Sequence, residues 1–122
     1  MSPRLVALLT STALVVAAVP VQAASKGMKK AKAELRKAEN AWSAGDFGAV
    51  KRHCDEGLKH HYMADLRFWK ARALWALGAH EDAWAMMNSF SPGDLHRKSQ
   101  EVFGAEYERL EREIKRERSA KK

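Results

Sequence analysis

His53, Cys54, His60 and His61 are the cluster in this chain whose side chains could ligate zinc or haem iron. Their spacing does not build such a site. Histidine ligands on one helix face stand four residues apart, whereas His53 and His60 are seven apart with Gly57 and Leu58 between them, and no C-x-x-C or H-x-x-x-H occurs. The histidines therefore read as solvated groups beside a loop, and no metal or other cofactor is expected. Asp55-Glu56 and Glu81-Asp82 supply paired carboxylates, the raw material of acid–base catalysis. Each pair falls on or near a helix start, where negative charge favours the positive end of the helix dipole. With no G-x-S-x-G, P-loop or dinucleotide fingerprint, the chain is not expected to be an enzyme.

Binding by burial and by charge has more material. Four tryptophans and 22 Lys+Arg against 15 Asp+Glu sit in 122 residues, a length that holds one small domain. The positive charge is not spread evenly. Ala24–Ser43 carries six basic residues against two acidic ones, Ala44–Phe90 six of each, and Ser91–Lys122 nine against seven. Lys26, Lys29, Lys30 and Lys32 near one end, with Arg116, Arg118, Lys121 and Lys122 at the other, could attract an anionic surface. Solvated charge that aids solubility explains the same residues without any partner.

These residues must be positioned by helices. Residues 1–23 read as a secretory signal: Arg4 gives the positive start, Leu5 to Val19 an apolar run too short to span a bilayer, and Val21-Gln22-Ala23 a small-residue cleavage site. An exported chain follows, periplasmic or extracellular, with nucleic acid excluded as a partner. Cys54 stands alone, so no internal disulfide can form, and it reads as a small buried hydrophobe. Met28, Ala31, Leu35, Ala38, Ala41 and Trp42 recur at steps of three and four, the helical period. Gly45-Asp46 breaks the run, and Asp46 can cap a second helix bearing Val50, Cys54, Gly57 and Leu58. Phe68, Ala71, Leu74 and Trp75 mark a third helix from about Ala64 to Leu77, and Ala83, Trp84, Met87 and Phe90 a fourth beyond Gly78. After Ser91-Pro92-Gly93-Asp94, a fifth should run from about Leu95 with the stripe Phe103, Tyr107, Leu110 and Ile114. Lys115 to Lys122 has no apolar period and is expected to be a disordered basic tail, which bounds the helical domain at 24–114.

Displacing the chain on itself by 33 residues lays Gly45 on Gly78, Trp42 on Trp75, Ala38 on Ala71, Leu35 on Phe68 and Val50 on Ala83. Two helix pairs on one plan, with Ala-x-x-x-x-x-x-Gly at Ala38–Gly45 and Ala71–Gly78, resemble the tetratricopeptide repeat, a helix-turn-helix of about 34 residues. The resemblance covers Ala31 to Phe90. It departs from the family pattern at Val50, at Cys54 and Met87 where the second helix would carry an aromatic, and in having no closing proline. It implies an all-α fold of about five helices in a short right-handed superhelix, with the Leu95–Ile114 helix as the cap that two repeats alone would lack.

In that family the first helix of each unit lines a concave face that receives a partner peptide. The matching positions here are Leu35, Glu39 and Trp42, then Phe68, Arg72 and Trp75. Trp42 and Trp75 could equally be inter-repeat core, while Trp69 and Trp84 read as packing. Carboxylate-gripping members use lysines and asparagines on these helices; Lys32, Arg36 and Arg72 match in charge, but no asparagine does. The resemblance therefore implies an exported adaptor for a protein or peptide partner, one that could also stack on a second copy of itself. The alternative is a basic envelope protein held peripherally to anionic surfaces by its termini.

Overall fold

A computed structural model describes residues 26–121, and the signal read over residues 1–23 lies outside them. Among the described residues the fold is all helical: α1 (26–43), α2 (Phe47–His60), α3 (Ala64–Ala76), α4 (His80–Met87), a short 3-10 turn at Pro92–Asp94, and α5 (Arg97–Ala120). None of these helices is long and apolar enough to cross a membrane.

Two turns of identical construction join α1 to α2 and α3 to α4. Gly45 and Gly78 hold φ of 76° and 91°, the left-handed region that glycine enters without a Cβ clash. Gly45 N–H donates to Trp42 O (3.0 Å) and Asp46 N–H to Ala41 O (2.9 Å); 33 residues on, Gly78 N–H donates to Trp75 O (3.0 Å) and Ala79 N–H to Leu74 O (2.9 Å). Both are Schellman closures, which satisfy carbonyls that a helix end would otherwise leave unpaired. Asp46 caps α2 as its sequence position predicts, its Oδ1 accepting from Ala49 N–H at 3.1 Å.

The helices within each pair run antiparallel. At the open end of the first pair, Gly27 lies so close to the carbonyl of His60 that a Cβ would collide with it. At the open end of the second, Arg67 Nη1 donates to Ser89 O at 2.8 Å. Two apolar clusters form. The first gathers Ala31, Leu35, Ala38, Val50, Cys54, Leu66 and Ala73; the second gathers Phe68, Leu74, Trp75, Met87, Phe90, Leu110 and Ile114 with their neighbours. Helix α3 contributes to both, because its buried residues surround most of its circumference.

Helix α5 lies antiparallel to α4. Its start is fixed by the Asp65 carboxylate of α3, which accepts from His96 N–H (3.1 Å) and from the Ser99 hydroxyl (2.7 Å). That cap is why α5 begins at Arg97 rather than near Leu95, which is instead a buried anchor before the helix. The expected disordered tail is corrected as well: α5 continues through Ala120. Arg118 Nε and Nη2 donate to Glu81 at 3.1 and 2.8 Å, and Glu117 sits 2.6 Å from His80 Nδ1, so ion pairs to α4 take over where the apolar stripe stops. The stripe itself holds, with Leu110 and Ile114 buried and Phe103 and Tyr107 packed against the same cluster. Helix α4 is shorter than its pattern predicts, because Asn88 Nδ2 and Ser89 Oγ donate to the carbonyls of Trp84 and Met86 and close it at Met87. Phe90 is core without being helical.

Candidate functional site

Of the six residues expected to line a groove, three are interior. Phe68 is fully buried, and Leu35 and Trp75 are each 9% exposed. The helical period identifies the face these residues occupy, and that face is covered by neighbouring helices. Glu39 is exposed on α1, its carbonyl accepting from the Ser43 hydroxyl.

Trp42 and Arg72 do meet. The Arg72 guanidinium lies 4.3 Å from the Trp42 ring centre, 4.7 Å from Trp69 and 5.5 Å from Phe68. Its Nη2 is 3.3 Å from Glu106 Oε1 on α5, so one side chain ties α1, α3 and α5 together. Burial pulls the guanidinium pKa below its ordinary value, and the Glu106 charge and hydrogen bond oppose that shift. Arg72 Nε is buried without a hydrogen-bond partner; the indole faces around the guanidinium offer cation–π attraction instead. The arrangement is an internal clamp, because the charge of Arg72 is already met by groups of this chain.

Open space lies on another face. A cleft of about 690 Å³ runs over α2, α3 and α4, lined by Leu74, Leu77, Ala79, Ala85 and Met86 together with Lys51, Arg67, Lys70 and Asp82. Leu77 is 52% exposed at the end of α3, a solvent-facing leucine beside the Gly78 turn. Arg67 and Lys70 are held in place, Arg67 over the Tyr62 ring and bonded to Ser89 O, Lys70 paired with Asp55 at 2.5 Å. Lys51 has no ion-pair partner among the described residues. The cleft is not legible in the sequence because its lining comes from three helices that only the tertiary fold brings side by side. Leu77, a large apolar residue at the helix end next to a glycine turn, was the available signal.

Neither Ser99 nor Cys54 is placed to act as a nucleophile. Ser99, Asp65 and His96 are neighbours, but both the serine and His96 Nδ1 (3.2 Å) address the carboxylate, so the imidazole does not stand between acid and hydroxyl as a general base must. Cys54 is buried, and burial pushes its thiol pKa up to about 12, with the nearby Asp55 adding to the shift. Among the described residues, no group of three or more His, Cys, Asp or Glu side chains could hold a metal ion.

Comparison with family models, with curated proteins and with solved structures gives no match for this chain.

Proposed function

We propose that this chain is an exported adaptor of tetratricopeptide-like build, whose paired helices hold a segment of a partner polypeptide without chemical change. The repeated turn supports the build: the Gly45 and Gly78 closures use the same hydrogen bonds at an offset of 33 residues. Helix α5 suits a cap. The positions of α1 and α3 filled by buried Leu35 and Ala38, then Phe68 and Ala71, fall in α5 on exposed Glu101 and Gly104.

The observation that carries the binding reading is the cleft over α2, α3 and α4, where an apolar floor with an exposed leucine adjoins three cations. Such a surface offers a peptide both area to bury and charge to orient it. It replaces the row Leu35, Phe68 and Trp75 as the contact surface, since those side chains are spent on the core.

A displayed peptide library panned against the full chain tests the reading. Retrieved peptides should bind the native chain and a Trp42→Ala variant alike, and lose binding to a variant carrying Leu77→Asp and Ala85→Glu. Both cleft positions are exposed, so circular dichroism should show an unchanged fold. Peptides that bind the double variant undiminished would place the contact elsewhere.

A further inference from the structure

Helix α1 carries Lys26, Lys29, Lys30, Lys32, Arg36 and Lys37, and all six are exposed. At 100° per residue they fall within an arc of roughly 160°, opposite the buried Ala31, Leu35 and Ala38. Both acidic residues of the helix lie outside that arc: Glu34 turns inward to His53 and Lys37, and Glu39 falls on the far edge. Among the described residues, Lys37 is the one member of the six that enters an ion pair.

This pattern works against the helix that bears it. Lys26 and Lys30, Lys29 and Lys32, and Lys32 and Arg36 are like charges at separations of three or four, where they repel along the helix surface. Helix α5 also sets like charges three or four apart, as at Arg112 and Arg116, but it mixes both signs and pairs Glu106 with Arg109, Glu111 with Lys115 and Glu81 with Arg118. The contrast is one of balance: α1 carries six basic residues against two acidic, α5 seven against six, so the repulsion on α1 is left without acids beside it to offset it.

We propose that the outer face of α1 docks the protein on an anionic lipid bilayer. Cations on one exposed face, five of the six without an ion pair among the described residues, match a plane of diffuse negative charge, and each cation near such a surface strengthens attachment. The arc has no aromatic for base stacking, and Ala33 is its one apolar side chain, so it suits a charged plane better than a nucleobase or a defined peptide. The docking face is separate from the α2–α4 cleft and does not depend on it.

The test is co-sedimentation of the full chain with vesicles of phosphatidylcholine alone and with vesicles in which about a third of the lipid is phosphatidylglycerol. The apolar run Leu5–Val19 can enter either lipid, so the readout is the ratio of anionic to neutral binding. That ratio should fall steeply with added salt. It should fall roughly fivefold for each charge removed in a Lys29→Gln, Lys30→Gln, Lys32→Gln, Arg36→Gln variant. A charge-matched variant on α5, with Lys98, Arg112, Lys115 and Arg116 changed to Gln, should keep most of the ratio. The α1 variant should also melt no lower than the native chain, because it loses repulsion rather than contacts. The proposal is overturned if both variants lose the ratio equally, if neither does, or if soluble double-stranded DNA binds where anionic vesicles do not.

Discussion

The two hairpins share a turn and differ in what fills them. At Gly45 and Gly78 the backbone closes through the same hydrogen bonds, yet α1 and α2 enclose alanines, Val50 and Cys54, while α3 and α4 enclose Phe68, Trp75 and Met87. Gly57 in the first hairpin corresponds to Phe90 in the second. A Cβ on Gly57 would come within 2.9 Å of Leu66 Cδ1 and 3.2 Å of Glu34 Cβ, so the backbone of α2 packs directly against side chains of α1 and α3. Phe90 instead packs against Phe68 and Phe103 at ring separations of 6.3 and 5.8 Å, a spacing that requires α5 as a third wall. Local residues set the turn, and side-chain volume sets how far apart the helices stand.

The sharpest contrast should come from truncating the cores. Phe68→Ala empties the centre of the second hairpin and is expected to cost about 4 kcal/mol in chemical denaturation, whereas Leu35→Ala at the edge of the first should cost about 2 kcal/mol. Equal losses would mean that the two clusters are one core.

Glycine substitution probes the close approach. Gly57→Ala should destabilise by about 1–3 kcal/mol through overpacking against Leu66, despite the better helix propensity of alanine. Gly104→Ala on α5, where a Cβ meets open space, should stabilise by about 0.5–1 kcal/mol. The sign difference, read from melting temperatures, isolates contact from propensity.

Shared turn construction makes a third expectation. Gly45→Ala and Gly78→Ala each force a Cβ into the left-handed region, with open space around it, so each should cost about 1–2 kcal/mol, and by similar amounts. Unequal costs would show that the surrounding hairpin, and not the turn, sets the strain.

The smallest effect is a pH dependence confined to the first hairpin. Burial alone would raise the Glu34 pKa, but hydrogen bonds from His53 and Lys37, with their charges, outweigh it and hold the carboxyl below its ordinary 4.5. A depressed carboxylate stabilises the fold above that value and loses its contribution as pH falls through the lowered one. The residue 33 positions on is Arg67, which donates to the uncharged backbone carbonyl of Ser89. Stability of the native chain relative to Glu34→Gln should therefore be greater at neutral pH by less than about 1 kcal/mol and shrink below pH 4.5, while Arg67→Gln shows no such trend.

Residue by residue, the legible features are those made within a few positions of one another. Asp46 as a cap, Gly45 and Gly78 as breaks, and the stripe through Phe103, Tyr107, Leu110 and Ile114 all depend on hydrogen bonds or periods internal to one segment. The Asp65 cap on α5 spans 31 to 34 residues and the Arg118–Glu81 pair spans 37, so neither leaves a mark in a local window. Leu35 and Phe68 lie on the expected helices but face the interior rather than a groove, and Trp75, which the sequence leaves open between groove and core, is interior as well. The α2–α4 cleft left one local sign, the apolar Leu77 at a helix end beside Gly78.

By itself the sequence determined an all-helical chain with two like-built turns, a buried thiol and an unbalanced run of positive charge on its first helix. Tertiary structure decided which aromatic face is covered, where α5 begins and ends, and where a cleft remains. The reason is physical: backbone hydrogen bonds and side-chain periodicity are satisfied within a turn or two, whereas burial depends on which distant helix lies across a face.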